Sequence, residues 1–238
     1  MASGSSEWTV LPHGSIERLA ENLRWVQGSL PRMSLKRAMT IVRLGDGRLV
    51  IHNGIALGEI QMRQIEGWGT PAFLIVPNGM HRQDAAAYKH RYPDLTVLAP
   101  RGARAKVADR VAVDGVLEDF PADDTVRFEP LAGVGDAEGT MLVRSADGTT
   151  VVLTDAMFNM DRKRDVLGFL FTTVMGSAPG PRVSRLAKLL LVKDRKALRR
   201  DLERYAAIPD LVRVVVAHEK IASGAEARAA LLEAATYL

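Results

Sequence analysis

The chain contains no cysteine. Disulfides, thiolate zinc ligands and cysteine nucleophiles are excluded with it. The absence also fits a reducing, cytoplasmic setting. Aromatic residues are scarce, at 5% of 238 positions. They offer little with which to stack nucleic-acid bases, so a nucleic-acid partner is not expected. No apolar run approaches the roughly 20 residues that a membrane-spanning helix needs. The opening MASGSSEW lacks the basic and apolar regions of a secretory signal, and residues 1–19 read as a flexible start. A G-x-S-x-G elbow and a Walker A loop are both missing. GVGDAEG, 133–139, is rich in glycine but leads into a strand rather than a helix, so it is no dinucleotide fingerprint.

What is present is ordinary for a globular chain: 47% hydrophobic and 25% charged residues. The length suffices for a sizeable core. No repeat or Gly/Ser linker divides it, so residues 20–238 read as one domain. The net charge is +4 and the isoelectric point about 9.5. The excess is local, in RVSRLAKLLLVKDRKALRRDLER at 182–204. Such a run is either the solvated face of a helix or a surface for an anionic partner.

The order of elements is legible from periodicity. NLRWVQG, 22–28, alternates and predicts a short strand. In 37–57 two β-branched, apolar runs flank GDG, which is hairpin chemistry. Ile60, Met62 and Ile65 recur at helical spacing before a glycine. AFLIVP, 72–77, is a continuous apolar run, as in a strand buried on both faces. RQDAAAYKHRYP, 82–93, predicts a helix ending before Pro93, and LTVLAP, 95–100, another buried strand. RVAVDG and VRFEPLAG predict short strands. Residues 139–155 form a second hairpin turning at ADG. The basic stretch predicts one or two helices to about Ala207, 209–219 a last strand, and 223–238 a helix capped by Ser223.

Five histidines are available for chemistry. His13 and His90 fall in loop or exposed-helix contexts. His52, His81 and His218 lie at or just beyond predicted strand ends, where α/β sheets collect functional groups. Asp155 also follows a strand, and Asp84 follows His81 within IVPNGMHRQD. There a carboxylate would equally favour a helix N-terminus. Two imidazoles and two carboxylates at strand ends form an N/O set that zinc, manganese or iron accepts. Such an ion lowers the pKa of water toward neutrality.

The order of these pieces resembles the metallo-β-lactamase superfamily of metal-dependent hydrolases and oxidoreductases. NLRWVQG with MTIVRLGDGRLVIHNG is similar to its opening strands and first hairpin. AFLIVPNGMHRQDAAAYKHRYPDLTVLAP is similar to the strand that ends in its H-x-H-x-D-H motif. PLAGVGDAEGTMLVRSADGTTVVLTDAMF is similar to the segment carrying its G-H-T-x-G and G-D, and VVVAHEK to the strand supplying its last histidine. The resemblance implies a four-layer αβ/βα sandwich over residues 20–238, with a basic helical insertion at 161–207. His81 and Asp84 stand where the second and last histidines of the H-x-H-x-D-H motif would be, while Gly79 and Gln83 replace its first histidine and its aspartate. Asp136 falls at the G-H-T-x-G histidine, with Glu138 beside it. Asp155 matches the G-D aspartate, after Thr154 in place of glycine, and His218 matches the last histidine.

The resemblance thus implies a reduced site: His81, Asp84, Asp155 and His218 around a single divalent ion (Zn, Mn or Fe), with Asp136 or Glu138 as helpers. Arg182 and Arg185 of the insertion would face an anionic substrate. Three functions stay open at this stage. One is a metal-dependent hydrolase with an altered site. The second is a metal-free descendant of the fold that binds a small molecule or a partner. The third is an anion-surface binder acting through 182–204.

Overall fold

The computed structural model describes residues 6–238. Two mixed sheets face each other. The first contains seven strands: β1 (Glu17–Arg18), β2 (Leu23–Leu30), β3 (Met33–Arg43), β4 (Arg48–His52), β5 (Thr70–Ile75), β6 (Thr96–Ala99) and β7 (Gly115–Val116), in that spatial order. β1 to β4 pair antiparallel, and β4 to β7 pair parallel. The second contains β8 (Val126–Pro130), β9 (Gly139–Ser145), β10 (Gly148–Val152), β11 (Leu211–Val215) and β12 (Ala222–Ser223), ordered β12-β11-β10-β9-β8, with β10 and β11 parallel. Helices α1 (Glu59–Glu66), α2 (Ala85–Arg91) and α3 (Arg104–Ala108) follow strands of the first sheet. α5 (Arg185–Leu190), α6 (Arg195–Ala206) and α7 (Ala225–Ala235) accompany the second, whereas α4 (Val166–Phe169) lies against β3, its cap Asp165 bonded to Ser34.

Side-chain alternation along the strands builds the layers. Val50, Phe73 and Ile75 point between the sheets, where they meet Met141, Val143, Val152 and Val215 of the second sheet. Their neighbours Leu49, Ile51 and Leu74 point outward and pack on Met62, Ile65, Tyr88 and Val107 of α1–α3. Leu142, Val151 and Val214 point outward from the second sheet onto Ala187, Leu198, Leu202 and Leu231. A two-residue period in both sheets therefore yields helices, sheet, sheet, helices. Each fully buried aliphatic side chain stabilises this by about 1.5–3 kcal/mol. The four-layer architecture expected from the sequence is the one observed.

Most elements lie within a few residues of their expected positions, and the differences have physical reasons. α7 is preceded by Gly224 at φ +58, and no side chain caps it. Ser223, expected as the cap, instead pairs with Arg213 in β12. Of RVAVDG only the final glycine joins a strand, since β7 is two residues long. Helix α3 was not visible in the sequence, and its five residues are too few to show a period. Residues 1–5 of the N-terminal stretch lie outside the described residues. The rest of the stretch expected to be flexible is held down. The Trp8 indole N–H donates to Leu57 O at 2.9 Å and its ring lies 4.9 Å from that of Tyr88, while Glu17 and Arg18 pair with β2. Among the described residues no helix is long and apolar enough to cross a membrane.

The two sheets are stitched together at one end. Ala38 N, in β3, donates to Ala217 O just beyond β11 at 2.8 Å. The Gln27 amide of β2 donates to Glu219 O at 2.7 Å. This seam brings the C-terminal ends of β4, β5, β10 and β11 into one region.

His52, the last residue of β4, is buried in this region. Burial, with His81 nearby, lowers its pKa from 6.5 to about 3. Between those values the unfolded chain binds a proton that the folded chain refuses, so His52 makes stability fall as pH falls from 6.5 toward 3. His52→Gln should therefore show a shallower loss of melting temperature across that window than the parent chain. Thermal unfolding monitored at a series of pH values checks this, and equal slopes would contradict it.

Candidate metal centre

Three expected side chains converge. One ligand atom from each of His81, Asp155 and His218 lies within 4.8 Å of the others. His81 comes from the loop after β5, Asp155 from the third residue past β10, and His218 from the third residue past β11. Asp155 is the meeting point. Its Oδ1 lies 3.1 Å from His81 Nε2 and 3.3 Å from His218 Nε2. Its Oδ2 accepts from Asn78 Nδ2 at 2.8 Å. Burial raises the Asp155 pKa, but the facing imidazoles outweigh burial and hold the carboxyl well below the usual carboxylate range.

The far nitrogens of both imidazoles are fixed. His218 Nδ1 sits 2.9 Å from the Lys36 carbonyl oxygen, which can only accept. His81 Nδ1 sits 3.1 Å from Asn53 Oδ1. The Asn53 amide cannot flip without loss, because its Nδ2 donates to Ala38 O at 2.7 Å. Each Nδ1 therefore carries the proton, and each Nε2 points at the Asp155 carboxylate. Two nitrogen lone pairs facing one anionic oxygen repel, unless a proton or a cation lies between them. A transition ion removes the conflict, and a carbonyl behind each ligating imidazole is how metal sites orient histidine. The donor set of two nitrogens and a carboxylate oxygen suits zinc, manganese or iron. Phe158 stacks on the His218 ring at 5.5 Å and 22°, which fixes its tilt.

The rest of the expected set is used otherwise. Asp84 stands outside the cluster. Its Oδ2 accepts from Arg37 Nη2 at 2.5 Å and from Ala56 N at 2.9 Å, all buried. A carboxylate engaged in this way neutralises a buried guanidinium, and Arg37 is a partner that local sequence does not reveal. Glu138 adjoins the cluster without joining it. Its oxygens accept from Asn78 Nδ2 at 2.5 Å, Asp155 N at 3.0 Å and Ala156 N at 2.9 Å. Burial and the charge of Asp155 push its pKa up to about 8. Asp136 sits in the tight loop before β9 at φ +57, where its carbonyl accepts from Gly102 N. Arg182 donates to the Tyr237 hydroxyl at 2.8 Å and lies over that ring, and Arg185 reaches Val174 O. Neither arginine lines the cavity described below.

Asn78 carries more than its sequence context suggested. Besides bridging Glu138 and Asp155, its Oδ1 accepts from Met80 N and His81 N at 2.8 and 3.0 Å. That Asx-type turn sets the path of the loop that delivers His81. The PNG of IVPNGMHRQD forms a turn. The side-chain role follows from contacts 60 and 77 residues away.

The cluster forms the polar end of a cavity of about 710 Å³. The rest of the wall is mainly apolar, with Leu30, Met33 and Leu35 from one side and Phe171, Met175 and Leu191 from the 161–207 segment, and Arg37, Gln83, Lys106 and Ser184 also line it. Residues 161–207 thus supply one wall of the chamber.

No family model matches the chain, and no curated protein matches it. Solved structures do. One is DIM-1 metallo-β-lactamase exposed to ceftazidime, with TM-score 0.63 and 13% identity over 96% of this chain and 99% of that one. Another is TMB-1, studied for substrate and inhibitor binding, with TM-score 0.62 and 12% identity over 95% of this chain and 98% of that one. The chain has the metallo-β-lactamase fold over nearly its whole length.

Asp84→Asn should separate the two roles considered for that residue. Removing one partner from a buried ion pair costs about 3–5 kcal/mol, so a clear drop in stability is expected in denaturant unfolding. Metal stoichiometry should stay unchanged in the folded variant. Loss of a bound ion without loss of stability would return Asp84 to the ligand set.

Proposed function

We propose that the protein is a metal-dependent hydrolase with a single-ion site made by His81, Asp155 and His218. The observation that carries this reading is the pair of imidazoles, each with its proton committed to a carbonyl oxygen and its free nitrogen turned to one carboxylate. When bound, a divalent transition ion supplies Lewis acidity toward a carbonyl or phosphoryl oxygen and acidifies water.

The chain's own residues do the rest. His81 Nε2, His218 Nε2 and Asp155 Oδ1 would hold the ion. Asn53 and the Lys36 carbonyl keep the imidazoles in register, and Asn78 fixes the carboxylate and the His81 loop. The apolar walls take up the non-reacting part of a substrate and exclude water around the susceptible bond. This arrangement suits an ester, amide, thioester or phosphoester with a sizeable apolar portion. Glu138 is engaged by three donors, and only His81, Asp155 and His218 bring ligand atoms together among the described residues, which favours one ion over two.

A metal-free reading has one observation in its favour. The His81–Asp155 and His218–Asp155 separations of 3.1 and 3.3 Å also suit protonated imidazoles bonded directly to the carboxylate. On that reading the cluster only closes the floor of a binding chamber.

Metal titration of the chelator-stripped protein decides between them. One equivalent of zinc, manganese or iron should bind. His81→Ala and His218→Ala should each weaken binding tenfold or more, and hydrolysis of an acyl- and phosphoester panel should be lost with the ion. Substoichiometric metal after supplementation, with unchanged stability in both variants, would support the metal-free chamber instead.

A further inference from the structure

The basic stretch has not yet found a use, and its surroundings suggest one. Residues 161–200 carry eleven Lys and Arg against three Asp, a net +8, which leaves −4 on the rest of a chain whose total is +4. The same segment holds a concentration of exposed large apolar side chains. Val166, Leu167, Phe169, Leu170 and Val174 lie on α4 and the π-helical turn that continues it, and Leu189 and Leu190 lie at the end of α5. Val166 is 84% exposed, Leu189 77% and Phe169 50%. Exposed apolar groups on this scale mark a surface that meets something.

These groups lie on two adjoining segments of the same stretch of chain. Arg185 N and Leu186 N, at the start of α5, both donate to Met175 O, just past the π-helical turn, so the two apolar segments are joined there. Cations border them. Burial and the charges of Arg195, Arg185 and Arg182 lower the Lys188 pKa, so these four cations are neighbours. Arg162 and Arg164 precede α4. The face also rims the cavity: Leu190, 66% exposed, and Met80, 81% exposed, both line it.

We propose that this face docks on an anionic lipid surface. Apolar tips bordered by Lys and Arg are the signature of a segment that lies in a membrane interface without spanning it. Its charge complements the negative surface of a bilayer rich in anionic headgroups. Docked in this way, Phe169, Val166 and Leu189 enter the headgroup–acyl boundary and the cavity mouth opens against the membrane. The inference stands on the surface alone and does not require an ion at His81, Asp155 and His218.

The test is flotation of the full-length protein with vesicles of phosphatidylcholine alone and of phosphatidylcholine mixed with phosphatidylglycerol. Binding to the mixed vesicles should exceed binding to neutral ones at least tenfold and fall steeply with added salt. The double variant Phe169→Asp/Leu189→Asp should abolish it, and Arg162→Glu/Arg164→Glu should weaken it tenfold or more. All four side chains are on the surface, and circular dichroism should confirm that these variants fold as the parent does. Absence of binding to the mixed vesicles overturns the proposal. So does retention of binding by the folded Phe169→Asp/Leu189→Asp variant. A salt-resistant dimer that this same variant dissociates, without any vesicle binding, overturns it in favour of contact between two copies.

Discussion

The Asp155 carboxylate is the point at which the two halves of the molecule meet. It leaves the second sheet just after β10, yet its oxygens engage His81 and Asn78, which belong to the loop after β5 of the first sheet. His218 reaches it from the end of β11, with Nδ1 anchored on the Lys36 carbonyl of the first sheet. The strand pairings, the seam between β3 and the end of β11, and the burial of His52 and Glu138 all bear on whether these groups arrive together. Unsatisfied charge at such depth is costly. The surrounding donors are therefore arranged almost without slack: Asn78 serves two carboxylates, and Glu138 takes both backbone N–H groups of the turn that carries Asp155.

Around this polar centre the fold separates three kinds of surface. Helices α1–α3 cover one sheet and α5–α7 the other, so both outer faces are closed by regular packing. The 161–207 segment closes only part of the remaining edge, and it does so with side chains that are apolar on both sides. Phe171 and Met175 face the chamber, while Val166 and Phe169 face outward. A helix apolar all round is stable only where both sides have partners. The chamber supplies one partner and a lipid surface supplies the other. The concentration of positive charge in the same segment then has a single explanation together with the exposed apolar tips.

Much of this was legible in the sequence, for identifiable reasons. Leu49, Val50 and Ile51 alternate between layers, and runs of this kind reveal their sheets. The GDG and ADG turns reveal their hairpins. His81, Asp155 and His218 stand at strand ends, where topology alone gathers side chains. What stayed hidden depends on partners remote in the chain. Asp84 follows His81 by three residues, as a ligand would, but a guanidinium 47 residues earlier claims it. Asn53 and Asn78 were not among the expected site residues, and their contacts to His81, Glu138 and Asp155 come only from tertiary structure. Ser223 lost its capping role to the pairing of β12, and Trp8 tied down a stretch whose composition suggested looseness. In each case a long-range contact overrode a local preference.

The most direct test of the central claim is the coordination around an added ion. X-ray absorption at the zinc edge of the protein loaded with one equivalent of zinc should show two imidazole nitrogens at about 2.0–2.1 Å and carboxylate oxygen at about 2.0–2.2 Å. His218→Ala should remove one of the two imidazoles. A shell of oxygen alone, unchanged in the His81→Ala and His218→Ala variants, would contradict it.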